Sequence, residues 1–340
     1  MKMKKVLASV LAVAMSLTLL TACGSKPAAS DPAASASAAP APASNYPKFA
    51  ITVNTSKSGS NVDIMARLFA KYANEYSAQS IVVNSMGGQV EAARETLSAE
   101  PDGYTLCMTN NTVIINDVIG ETEFNAVDDF DMIGIAIDNM ANWLCIKTDF
   151  AQANGIESLT DLYDYTQEHP GELLISDRIA SNTNTVCEQL KKAGFQFSSA
   201  DVGTSTDRLT NFLSGNVDVG VLSWNIVAQY VETGEVTCLA LCNQERSKFT
   251  PDIPTTYELG YEVASPTYYY LYGPKGMPQD VIDYLSNVME QVVQDPDFIA
   301  DCDAAAVEAH PVQSPADVTA KLQADRQEMI DLGMGEGYQG

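Results

Sequence analysis

Residues 81–94 read IVVNSMGGQVEAAR, and how this stretch folds decides the architecture. Ile81-Val82-Val83 is a short uncharged β-branched run, the composition of a buried strand. Gly87-Gly88 supplies a tight turn, and helical spacing begins at about Val90. Strand, glycine turn and helix is the unit from which α/β sheets are built. Its turn aims backbone N–H groups outward, at a helix end where negative charge is favoured. Yet the chain carries 44 Asp+Glu against 19 Lys+Arg, a formal net charge of −25. An anion cradle in so acidic a protein has to work through local geometry, because the net charge opposes it.

The same alternation continues on either side. A strand is expected over Phe49–Asn54, a helix over Val62–Tyr76 with Ile64, Leu68 and Tyr72 sharing one face, and a strand over Tyr104–Met108 after the turn Pro101-Asp102-Gly103. Met132–Ile137 and Trp143–Ile146 read as two further strands. A second, similar block follows. A helix starts at Ser158, with Asp161 as an imperfect capping box, and stops at His169-Pro170-Gly171. Strands are expected over Leu173–Ser176, Val217–Leu222 and Thr237–Cys242, with a helix over Thr183–Ala193 and another ending at Leu209–Leu213. The tail from Pro278 to Leu332 is mostly helical. The expected fold class is therefore α/β, with two lobes and a ligand cleft between them, where sheets of this kind bind small molecules. Residues 46–147 plus 255–340 would form lobe 1 and residues 148–254 lobe 2.

Residues 1–22 read as a signal peptide, not as part of the fold. Lys2, Lys4 and Lys5 precede the uncharged run Val6–Leu20, which is short of the ~20 residues a membrane span needs. The run ends in Leu20-Thr21-Ala22-Cys23-Gly24, which matches a bacterial lipobox, so Cys23 is the expected lipidation site. An uncleaved anchor, or a Cys placed there by chance, is the alternative. Residues 23–45 are almost all Ala, Ser and Pro and cannot bury apolar side chains, so a flexible tether is expected. The body would then stand outside the cytoplasm, lipid-anchored to the bacterial cell membrane. Cleavage would also remove three lysines, leaving a chain ill-suited to nucleic acid or anionic lipid.

Catalytic and metal chemistry finds no foothold. The two histidines, His169 and His310, each precede a proline and read as surface residues. No GxSxG, HExxH or SxxK spacing occurs. Gly273-Pro274-Lys275-Gly276 lacks Walker spacing and reads as a turn, while Asp128-Asp129-Phe130-Asp131 and Asp295-Pro296-Asp297 lack the central Gly and last Glu of a calcium loop. No catalytic residue, metal or cofactor is expected. Six cysteines remain after Cys23. Cys107, Cys145 and Cys238 lie in apolar runs and read as buried thiols, and spacing alone cannot choose disulfide partners.

Six segments together resemble the extracytoplasmic solute-binding receptors of tripartite tricarboxylate transporters, also called the Bug family. They are Ser58-Gly59-Ser60-Asn61 with Asp63-Ile64-Met65-Ala66-Arg67, the turn Asn84–Gln89, Pro101-Asp102-Gly103-Tyr104-Thr105-Leu106, Leu213-Ser214-Gly215-Asn216-Val217-Asp218, Pro254-Thr255 through Leu259-Gly260-Tyr261, and Gly273–Pro278. The resemblance implies a periplasmic-binding fold of type II that closes on a small carboxylate, has no catalytic role, and delivers its solute to membrane permease subunits. A ligand-sensing lipoprotein that signals to a partner protein is the competing reading.

The candidate ligand contacts lie at the turns. Ser58, Gly59, Ser60 and Asn61 precede the first helix, where small residues admit a ligand and Ser and Asn add bonds, although an ordinary N-cap would look the same. Asp63 reads as structural, pairing with Arg67 at i+4. Gly87, Gly88 and Gln89 make the second turn, with Met86 and one glycine fewer where the family has its proline-glycine pattern. Asn110 and Asn111 follow a strand. In the second block Arg178, Ser181, Asn182 and Thr183 run from strand into helix; Arg178 can fork onto a carboxylate or neutralise Asp177. Gly203, Thr204 and Ser205 precede another helix. Trp224, Asn225 and Tyr268-Tyr269-Tyr270 are left open between cleft wall and core.

Overall fold

The computed structural model describes residues 46–139 and 142–335. The expected signal peptide, Cys23 and the 23–45 tether lie outside the described residues.

Two βαβαβ units organise the chain. In the first, β1 (Ile51–Thr55), α1 (Asn61–Tyr76), β2 (Ile81–Ser85), α2 (Gln89–Leu97) and β3 (Thr105–Thr109) place β1 between two parallel neighbours. The helix α3 (Thr112–Val118) and β4 (Phe130–Asn139) follow, and then β5 (Trp143–Lys147), α4 (Thr148–Asn154) and α5 (Leu159–Glu168). The second unit repeats the arrangement with β6 (Leu174–Asp177), α6 (Asn182–Lys192), β7 (Ser198–Asp201), α7 (Ser205–Leu213) and β8 (Val219–Leu222), β6 lying in the middle. The remaining elements are α8 (Trp224–Glu232), β9 (Val236–Leu241), β10 (Thr267–Pro274), α9 (Gln279–Gln294), α10 (Pro296–Ala304), β11 (Glu308–Ala309) and α11 (Pro315–Asp331).

The strands form two sheets, β11-β4-β10-β3-β1-β2 and β7-β6-β8-β5-β9. Each extends its parallel trio with antiparallel strands: β10 pairs with β3 and β4, and β5 pairs with β8 and β9. The chain passes from the first sheet to the second between β4 and β5, and returns between β9 and β10. Trp143–Lys147 thus belongs to the second sheet, although its apolar run reads as a continuation of the Met132–Ile137 block. The crossing falls between these two strands, and hydrophobic pattern carries no record of which sheet a strand joins.

Both faces of each sheet are covered, so apolar side chains pack into four clusters. On α1 the core face carries Val62, Met65, Ala66, Phe69 and Ala73, while Ile64 is 48% exposed, one position off the expected stripe. Tyr268, Tyr269 and Tyr270 are all buried. Alternation sends Tyr269 into one cluster and its two neighbours into the other. His310 is buried as well, against the Tyr268 ring (centroids 5.7 Å apart) and 3.6 Å from the Asp138 carboxylate, so the surface reading fails for it. His169 is half-buried and stacks on Tyr165.

Cys145 and Cys238 stand opposite each other on β5 and β9, with Sγ atoms 3.1 Å apart and no bond between them. Mild oxidation with oxidised glutathione is expected to join these two before any other pair. Mass spectrometry after thiol trapping should show the Cys145 and Cys238 peptides linked, with Cys107, Cys187, Cys242 and Cys302 still free. A different first pair would contradict the register.

Candidate functional site

A parallel strand followed by a helix has its loop at the strand's carboxyl end, so the helix N-termini of each unit emerge on one sheet edge. The two edges border one cleft of about 930 Å³, within the range of small-molecule sites. The first-sheet wall holds Gly59, Ser60 and Asn61 before α1, Gly87, Gly88 and Gln89 before α2, and Asn110 after β3. The second wall holds Arg178, Ser181, Asn182 and Thr183 around the start of α6, and Thr204 and Ser205 at the start of α7. Ser58, Asn111 and Gly203 do not line the cleft. Ser58 is exposed. The Asn111 side chain is buried, and its Oδ1 accepts the Tyr268 N–H at 2.8 Å. Gly203 has φ +87° and shapes the turn, where a Cβ would meet Asp207. Tyr269 reaches the cleft from β10; Trp224 does not, packing against Trp143 with centroids 5.5 Å apart.

The helix N-termini differ in one respect that the glycine turns do not reveal. At α1, Ser60 Oγ accepts the Asp63 N–H, and the buried Asp63 carboxylate accepts from Gly59 N–H (3.0 Å), Ser85 Oγ (2.6 Å) and both arms of Arg67 (3.0 and 3.1 Å). Burial alone would raise the Asp63 pKa, but the bonds from Arg67, Ser85 and Gly59 hold it below the usual carboxylate value. The i+4 pair with Arg67 is as the sequence reading has it. At α2 the Glu91 carboxylate folds over Gly87, where an added Cβ would collide with it. At α7, Thr204 and Asp207 form a capping box, with Asp207 Oδ2 accepting from Thr204 N–H at 2.9 Å and from its Oγ1 at 2.6 Å. Each of these ends is already faced by an acid of its own chain. At α6 and α8, by contrast, the N-caps Ser181 and Ser223 make no side-chain cap bond and the first turn holds no acid.

The cleft's arginines divide in the same way. Arg94, in the last turn of α2, is committed to Glu123 through two hydrogen bonds. Arg208, on α7, is 5% exposed and donates only to neutral groups: Val221 O (3.3 Å), Gly203 O (3.2 Å) and Ser205 Oγ (3.2 Å). Burial, with the nearby Arg178 charge adding to it, pulls its pKa down to about 10. The Arg178 side chain is exposed and does not pair with Asp177, whose carboxylate accepts the Arg178 backbone N–H, at 2.6 Å, and Asn184 Nδ2, at 2.9 Å. Among the described residues, no carboxylate comes within 4.0 Å of either the Arg178 or the Arg208 guanidinium. Sequence reasoning missed Arg208 because it lies past the turn, inside the helix. The available signal was its position in the first turns of α7, since helical side chains lean back toward the N-terminus and so toward the mouth.

A family model described as tripartite tricarboxylate transporter family receptor matches residues 65–330. Protein BugT of Bordetella pertussis is 24% identical over 271 residues, which cover 77% of this chain and 79% of that protein. Among solved structures, the R. palustris protein Rpa4515 with adipate is 20% identical with a TM-score of 0.70, covering 85% of this chain and 97% of that one. MatC from Rhodopseudomonas palustris with bound malate is 19% identical with a TM-score of 0.69, covering 84% and 99%. At such identities the structural likeness is one of fold.

The Asp63 network supplies a stability test. Asp63→Asn is expected to lower the unfolding free energy at neutral pH by about 1–3 kcal/mol, read from urea unfolding at unchanged m. The folded pKa lies below that of an ordinary aspartate, so the wild-type advantage is present above the ordinary value and is lost as pH falls through the folded one. A difference that widens toward acid would contradict the assignment.

Proposed function

The chain belongs to the tripartite tricarboxylate transporter family of receptors, solute-binding proteins and not enzymes, and from that premise we propose that it captures a small carboxylate in the cleft and delivers it to membrane permease subunits. The observation that carries this reading is the convergence of two sets of strand-to-helix turns, rich in Ser, Thr, Asn and Gly, on one cleft of about 930 Å³. Such turns offer short hydroxyl, amide and backbone N–H donors without filling the space a small molecule needs. Arginines at the mouth supply positive charge at contact distance, whereas acids on the outer surface are screened beyond about 8 Å at physiological salt. Rpa4515 solved with adipate and MatC solved with malate support a carboxylate ligand. The two walls come from different sheets joined by two crossings, so a ligand touching both would favour the closed arrangement and shift the open–closed balance. Lipidation at Cys23 and the 23–45 tether would hold the receptor beside its permease.

Isothermal titration against mono-, di- and tricarboxylates, neutral sugars and cationic amines tests the ligand class. At least one carboxylate should bind with a saturable isotherm while sugars and amines do not; binding confined to sugars or amines would overturn the reading. Cells lacking this chain should lose high-affinity uptake of that carboxylate, and unchanged uptake would remove the delivery role.

A further inference from the structure

The two walls of the cleft are electrically unlike. On the first wall, the ends of α1 and α2 face Asp63 and Glu91, and Arg94 is committed to Glu123. On the second wall Asp207 likewise faces the end of α7, but Arg208 and Arg178 have no carboxylate partner among the described residues, and the N-termini of α6 and α8 are faced by no acid of their own first turn. Asp177 and Asp201, the acids at the carboxyl ends of β6 and β7, stay beyond ion-pair reach of both guanidinium groups. A buried guanidinium bonded only to carbonyls and a hydroxyl keeps most of its desolvation cost uncompensated, and a ligand anion is the group that would compensate it.

We propose that the ligand is bound in one orientation, its carboxylate on the second wall against Arg208 and Arg178 and an uncharged hydrogen-bonding end on the first wall, so that Arg208 sets specificity for solutes charged at one end only. This rests on the carboxylate-receptor reading above. The uncharged end meets the side-chain amides of Asn61, Gln89 and Asn110. Gln89 Oε1 is taken by Thr109 and the Asn110 N–H, which leaves its amide N–H groups to donate. Asn182, at the start of α6, bonds Thr267 of β10 through Nδ2, while its buried Oδ1 has no partner among the described residues. That acceptor suits an N–H or O–H of the ligand beside its carboxylate. On the first wall, Glu91 would repel a second carboxylate.

The test uses linear dicarboxylates from malonate to adipate and the monoamide of each, titrated into wild type, Arg208→Gln, Arg178→Gln and Glu91→Gln. In wild type the monoamide of the preferred length should bind at least as tightly as the diacid. Arg208→Gln should weaken both by about tenfold or more, the scale of a lost hydrogen bond to a charged group. Arg178 is exposed and makes no side-chain hydrogen bond among the described residues, so Arg178→Gln should fold normally and weaken both in the same direction, which keeps the test decisive if Arg208→Gln does not fold. Glu91→Gln should improve the diacid relative to the monoamide. Diacids bound tenfold more tightly than their monoamides, or carboxylate binding unchanged in both arginine variants, would overturn the orientation and leave the carboxylate reading standing. Absence of binding by every diacid and monoamide would overturn the orientation, and the carboxylate reading falls with it only when the mono- and tricarboxylates of the earlier titration also fail to bind.

Discussion

A strand that runs parallel to its neighbour must hand the chain to a helix at its carboxyl end, and everything at this site follows from that constraint. In both units the first strand lies in the middle, so two strand-to-helix turns flank it on one edge. The edges of both sheets border the same space, and the residues able to turn tightly there are the small polar ones: Ser60, Gly88, Ser181 and Thr204 all serve as N-caps. The cleft is polar because of how its walls are built, before any ligand is considered. Burial on both faces of each sheet fixes the walls, with Tyr268, Tyr269 and Tyr270 packed on alternate sides of β10.

Helix ends favour anions in general, but a first-turn acid spends that preference within the chain. Asp63, Glu91 and Asp207 do so at α1, α2 and α7. The expectation that turns of the cleft hold the ligand's charge is therefore extended by the proposal that the Arg208 and Arg178 guanidinium groups share it. This also resolves the conflict between a net charge of −25 and an anionic ligand. Many of the acids lie on the exterior or in local networks, while the second wall keeps two arginines without carboxylate partners among the described residues.

The fold was legible because its signals are local. Ile81–Val83 with Gly87-Gly88, and the Pro101-Asp102-Gly103 turn before Tyr104, sit where strand, turn and helix were expected. Ser158 caps α5 by accepting the Asp161 N–H at 3.2 Å, as the imperfect capping box implied. Most candidate contacts line the cleft for the same reason, since they were chosen at turns. What was not legible depends on partners distant in sequence. Trp143 joins β8 and β9, strands some eighty to one hundred residues later. Pattern placed Ile64 on the stripe, but it faces solvent. A proline after His310 suggested exposure, whereas Tyr268 and Asp138 enclose it. Asn111 is consumed by the Tyr268 N–H. Arg208 reads as one more charged residue on a helix until β8 supplies the Val221 carbonyl that holds it at the mouth.

The most direct measurement is a crystal structure of the protein with a bound carboxylate, read for where the charged oxygens lie. The expected result places them within about 2.7–2.9 Å of the Arg208 and Arg178 guanidinium nitrogens, with the uncharged end toward Gln89 and Asn110. A carboxylate seated instead on the Gly87-Gly88 turn, with Arg208 still bonded only to Val221, Gly203 and Ser205, would contradict it.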